Sequence, residues 1–109
     1  MRLITELAEA ERKIDSEIPI VVLMSMNGCM FCTEVRKALE NLECSCGNRD
    51  LEFVEIDIGL LKNIAEKYSV ENTPTVIIFR NGIILEHMIG SSKIPSYEEA
   101  IKKIAQPVP

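Results

Sequence analysis

This chain of 109 residues has no tryptophan, a single histidine and no apolar run long enough to span a bilayer. Its longest apolar stretch, from about Ile18 to Met26, is broken by Pro19 and Ser25 and falls far short of the ~18 residues a membrane helix needs. That stretch reads as a buried strand. Cations are also scarce: Lys and Arg number 12 against 17 Asp and Glu, for a net charge of −5. Basic pairs such as Arg36-Lys37 and Lys102-Lys103 are short and flanked by acids, which argues against neutralising the phosphates of a nucleic acid. The N-terminal stretch carries Glu6, Glu9, Glu11 and Asp15 where a secretion signal has a continuous apolar core, so a cytoplasmic location is expected. His87 has no cysteine or carboxylate cluster near it in sequence and reads as a surface residue, not a ligand.

What is present is a globular composition, 47% hydrophobic and 27% charged. It argues against disorder everywhere except the Pro107-Val108-Pro109 end. The length suits one domain, residues 1–109, able to bury roughly two-thirds of its unfolded surface. Leu3, Ile4, Leu7 and Ala8 recur at helical spacing, so residues from about 2 to 15 read as an amphipathic helix that ends before Pro19. The run 20–25 reads as a strand covered on both faces. Val35, Ala38, Leu39 and Leu42 stripe a second helix from Met30 to about Leu42, and Cys44 to Asp50 reads as a loop. Leu51 to Ile58 is a strand, and Leu60, Leu61, Ile64, Ala65 and Tyr68 mark a third helix. Thr75 to Phe79 and Ile83 to Ile89 flank Asn81-Gly82, the signature of a type I′ hairpin. A capping box, Ser96 with Glu99, opens a closing helix. The order α-β-α-β-α-β-β-α predicts an α/β fold whose mixed four-stranded sheet carries helices on both faces.

Cys29-Met30-Phe31-Cys32 stands between the first strand and the second helix. A cysteine at the start of a helix lies among unpaired N–H groups and near the positive end of the helix dipole, both of which favour thiolate. A free thiol has a pKa of about 8.5, and such positions lower it to roughly 3.5–7.5. Two intervening residues set the second sulfur one helical turn away, within disulfide reach. One sulfur can attack and the other resolve.

With Thr73-Pro74-Thr75 ahead of a strand and hairpin, the strand–Cys-x-x-Cys–helix unit from Ile20 to Leu42 resembles the thioredoxin family. The resemblance runs over roughly residues 18–105, leaving an N-terminal helix within 1–17 and a frayed tail, 106–109. It implies a thioredoxin fold, and an oxidoreductase in which Cys29 attacks a protein disulfide and Cys32 displaces the reduced product. No metal or organic cofactor is implied beyond the Cys29–Cys32 dithiol. The partners implied are protein disulfides and an upstream reductase or low-molecular-weight thiol, with the chain acting as a monomer. The resemblance gives Pro74 a cis peptide bond and a place against the cysteines, with the Thr73 backbone free to pair with an extended substrate. Gly90 leaves room on the same surface, Gly28 leaves the first sulfur unshielded, and Met30 and Phe31 form an apolar rim that contacts partners.

The chain departs from the family's usual pattern by Gly28 where tryptophan precedes the first cysteine, and by Met30-Phe31 where Gly-Pro separates the two. The family's buried acid falls at Leu23 and its lysine partner at Phe53. A proton acceptor for Cys32 is then water or another group, and Glu55 and Asp57 receive no role. Two other readings stay open. One is a binding module whose cysteines regulate docking without turnover. The other is a zinc site completed by Cys44 and Cys46, which a helix of about 12 residues, roughly 18 Å long, argues against. By default Cys44 and Cys46 are inert loop thiols.

Overall fold

Strand Ile20–Ser25 is buried at every position because both its faces and both its edges are covered. In the computed structural model, which describes residues 1–105, it is β2 of five strands: β1 (Arg2–Ile4), β2, β3 (Glu52–Asp57), β4 (Thr75–Arg80) and β5 (Ile83–Ile89). The sheet order is β1-β3-β2-β4-β5, with β1, β3 and β2 mutually parallel and β4 and β5 antiparallel to their neighbours. Ile20, Val22 and Met24 face one core, Val21 and Leu23 the other. Alternation therefore vanishes from the sequence of this strand. The first core lies under helices α1 (Leu7–Ile14) and α3 (Lys62–Lys67), the second under α2 (Met30–Cys46) and α4 (Ile94–Ala105).

The expected helix from residue 2 is a strand up to Ile4, and the sheet has five strands, not four. Pairing Arg2, Leu3 and Ile4 with Val54, Glu55 and Ile56 covers an edge of β3 that would otherwise be open and buries Ile4 completely, a gain that local helical spacing cannot anticipate. The second helix runs on to Cys46, so Cys44 and Cys46 are helical; it stops at Gly47, whose N–H donates to the Glu43 carbonyl at 2.9 Å. Leu60 is not part of the third helical stripe but lies exposed ahead of α3. Ser96 lies inside the first turn of α4, because a 3-10 turn at Ser91–Lys93 leads directly into Ile94 and Pro95, and proline is favoured at a helix start.

The hairpin turn has positive φ at both Asn81 (52°) and Gly82 (75°), as a type I′ turn requires. Among the described residues no helix is long and apolar enough to cross a membrane. The tail 106–109 lies outside the described residues.

Candidate active site

Three chain segments meet at one end of the sheet. β2 delivers Cys29 beyond its carboxyl end; β4 begins beside that end, with Thr75 paired to Met24; β5 finishes there, with Ile89 paired to Thr75. Antiparallel pairing thus gathers Cys29, Pro74 and Gly90 although 61 positions separate the first from the last in sequence. This is the crevice outside strand ends where α/β sheets bind ligands.

Cys29 is the N-cap of α2, and its Sγ accepts from the Cys32 backbone N–H at 3.1 Å. The two cysteines are joined as a disulfide with a Cα–Cα distance of 5.3 Å. The same amide that holds the sulfur here is available to a thiolate once the bond is reduced, and a charged acceptor roughly doubles such a bond's strength. Accessibility separates the two sulfurs: Cys29 is half-buried, while Cys32 is 1% exposed. Met30 and Phe31 project outward, 80% and 56% exposed, and Met26 and Leu60 add further exposed apolar surface. Gly28 has φ +83° and Gly90 φ +94°, and a Cβ at either would meet nothing within 4 Å, so backbone conformation rather than crowding calls for glycine there.

The Thr73–Pro74 peptide is cis, Pro74 is buried and Thr73 is partly exposed. The Gly90 N–H donates to the Pro74 carbonyl at 2.9 Å. On the other side of Gly90, its carbonyl accepts from the hydroxyl of Tyr97, a fully buried residue of α4. Burial pushes the Tyr97 phenol up to about 12, so it remains a donor throughout the neutral range. Tyr97 thereby ties the β5 end and the proline loop to the core; its only signal in the sequence is an aromatic on the apolar face of the last helix.

A second group was missed more completely. The parallel register sets Val21 beside Phe53 and Leu23 beside Glu55, so the β3 neighbour of Leu23 is Glu55, not Phe53, which is an ordinary core residue. Glu55 is 5% exposed. Its carboxylate accepts from Arg36 Nε at 2.7 Å and Nη2 at 2.8 Å and from Ser25 Oγ at 2.6 Å. Desolvation pushes the Glu55 carboxyl up, but the hydrogen bonds from Arg36 and Ser25, the Arg36 charge and more weakly the Met1 amino group together bring it below the usual range. Arg36 is raised in turn, chiefly by its hydrogen bond to Glu55. Arg36 follows Cys32 by four residues on α2, the spacing that stacks side chains on one helix face. Ser25, Cys29, Arg36, Glu55 and Asp57 line one open cavity of about 660 Å³.

Cys44 and Cys46 take no part. They lie at the far end of the 17-residue α2, roughly 18–25 Å from the dithiol, and residues two apart on a helix point about 200° apart, so neither a four-cysteine site nor a mutual disulfide forms. Among the described residues no group of three or more His, Cys, Asp or Glu is arranged to hold a metal ion. His87 is exposed on β5.

A parallel-to-antiparallel sheet with a dithiol capping a helix at its carboxyl edge defines a thiol–disulfide exchange protein. The family model for thioredoxin matches residues 3–105. The chain belongs to the thioredoxin family, and its activity is that of a thiol–disulfide oxidoreductase. Among its relatives, the thioredoxin of Mycoplasmoides gallisepticum is 28% identical over 102 residues, covering 94% of this chain and all of that one. The solved thioredoxin of Malassezia sympodialis superposes with a TM-score of 0.88 over 97% of this chain and 91% of its own, at 16% identity. That of Fasciola hepatica gives 0.82 at 25% identity, covering 94% and 98%. As in the family generally, the partners are disulfide-bearing proteins and a donor of reducing equivalents.

Proposed function

We propose that Cys29 is the attacking sulfur, Cys32 the resolving one, and that Gly28, Met30, Phe31, Thr73, Pro74 and Gly90 form the surface that receives a protein disulfide. The difference in accessibility carries this reading: a substrate can reach Cys29, whereas Cys32 is closed off beneath it. The Cys29 thiolate displaces one substrate sulfur as a thiolate, which takes a proton from solvent, and a mixed disulfide forms. Cys32 attacks Cys29 Sγ, and its proton passes by way of solvent to the substrate sulfur that leaves. The second substrate thiol departs, and the Cys29–Cys32 disulfide is left with two electrons passed to the substrate. Thr73, partly exposed beside the cis Pro74, suits main-chain pairing with an extended substrate, and the exposed apolar rim excludes water around it.

In this reading the dithiol needs no metal or organic group, works as a monomer in the cytoplasm, and is re-reduced by a reductase or a low-molecular-weight thiol. The test is insulin-disulfide reduction with dithiothreitol, combined with trapping. Cys29→Ser is expected to abolish turnover, and Cys32→Ser to accumulate a mixed disulfide through residue 29. A mixed disulfide through Cys32 in the Cys29→Ser protein, with turnover retained, overturns the assignment.

A further inference from the structure

The cavity beside Cys29 holds a charge arrangement that disulfide exchange itself does not call for. A buried carboxylate on β3 is held by a fork of two Arg36 donors and by Ser25, and both charges line the space that Cys29 also lines. An ion pair of this kind, with its carboxylate buried and its guanidinium partly exposed, is weak evidence for stability, since apolar residues of similar volume often do as well. Its placement, one helical turn from Cys32 and on the wall of the nucleophile's cavity, gives it another use.

We infer that Arg36 and Glu55 are positioning residues that set the charge balance around the Cys29–Cys32 dithiol, and through it the acidity of the attacking thiol and the reduction potential. The inference rests on Cys29 being that thiol. The charged groups facing the cavity are Arg36 from α2 and Glu55 and Asp57 from β3, while β1 and the segment before α3 contribute Leu3 and Leu60. Asp57 is partly occupied as the acceptor of the Gly59 and Leu60 N–H groups, at 2.8 and 3.2 Å. Arg36 and Glu55 nearly cancel. Disturbing either one exposes the other, and the signs follow from the charge removed, whichever lies nearer the sulfur. Without the Glu55 charge, Arg36 stabilises the thiolate, hence the reduced protein, and the couple becomes more oxidising. Without Arg36, the Glu55 carboxylate opposes the thiolate and the couple becomes more reducing. Ser25 anchors the carboxylate to β2, so the pair cannot simply swing away into solvent.

The experiment is a double-mutant cycle on the full chain, Glu55→Gln, Arg36→Met and both together, equilibrated with reduced and oxidised glutathione at pH 8. Each reduced protein is then alkylated with iodoacetamide from pH 4 to 9. Glu55→Gln is expected to shift the equilibrium toward the reduced protein by about tenfold, about 30 mV for a two-electron couple, and to move the alkylation midpoint down. Arg36→Met is expected to shift both the other way, and the double variant to return most of the distance to the parent. Arg36→Lys retains the charge but loses the fork, and is expected to keep the parent's equilibrium within about twofold while losing thermal stability. Single variants that unfold at lower temperature yet leave the equilibrium and the midpoint unmoved, or Arg36→Lys behaving as Arg36→Met does, overturn the inference. Should Glu55→Gln fail to fold, the Met and Lys variants at position 36 decide it alone. Both readouts are taken without substrate turnover, so their failure leaves the assignment of Cys29 standing.

Discussion

The two ends of α2 carry the same residue type in opposite settings. At its start, Cys29 caps the helix, receives an N–H from Cys32 and lies where β2 and β5 finish and β4 begins. At its finish, Cys44 is exposed and Cys46 partly buried, beside backbone carbonyls whose partial charge is negative. The spacing differs as well: three positions bring two sulfurs onto one helix face, two positions send them apart. A cysteine's chemistry here is a property of which end of the dipole it occupies and what surrounds it, not of the thiol itself.

The largest expected effect tests that contrast directly. Cys29→Ser removes all insulin-reducing turnover, read as the rate of turbidity, whereas the reduced wild-type protein alkylated at pH 6.5 is modified at Cys29 about tenfold or more faster than at Cys44, read by peptide mass mapping. Equal rates at the two positions would remove the helix start as the cause of reactivity.

The next effect concerns support. The N-terminal half of α2 is braced by an ion pair whose carboxylate is buried; leaving Glu55 uncompensated through Arg36→Met is expected to cost about 2 kcal/mol, below the full range for buried pairs because Arg36 is 35% exposed. The pH dependence has a definite sign. The native Glu55 carboxyl lies below its ordinary value, burial notwithstanding, because of Arg36 and Ser25, so the folded protein binds its proton less readily than the unfolded chain. The stabilisation is complete above the unfolded value of about 4.3 and is lost as pH falls through the folded one. The melting temperature of the wild type is therefore expected to decline more steeply below about pH 5 than that of Glu55→Gln. Parallel declines would show that Glu55 is not responsible.

The part of this site that was legible in the sequence is the part encoded locally. The strand 20–25, the turn at Asn81-Gly82 and Cys29 and Cys32 at a helix start depend on neighbours within a few residues, and the resemblance added Pro74 and Gly90. What escaped depends on register between distant segments. Arg2–Ile4 has helical spacing but joins β3 because a strand edge is available there. Glu55 alternates with core residues and looks like a strand-end polar group until pairing sets it beside Leu23, within reach of Arg36. Tyr97 reads as core filling, and it is; only the folded chain shows its hydroxyl on Gly90.

Tyr97→Phe isolates that smaller contribution. It keeps the ring and removes one hydrogen bond to the Gly90 carbonyl, so the expected loss is about 1 kcal/mol, read from urea unfolding, with the slope unchanged. Because Gly90 is bonded to Pro74 on its other side, turnover is expected to fall through a higher KM for protein substrates with kcat little altered. A loss of stability with an unchanged KM would confine Tyr97 to packing.

The smallest effect completes the comparison from the other end of the helix. Cys44 is exposed, makes no disulfide and lies about 20 Å along α2 from the dithiol, so Cys44→Ser removes neither a buried contact nor a charge near the reacting sulfurs. Substitutions of this kind stay within about 0.5 kcal/mol, and both the melting temperature and the insulin-reduction rate are expected to match the wild type within error. A measurable fall in turnover would mean that this end of α2 exchanges thiols after all, and the contrast between the two ends would then be one of degree.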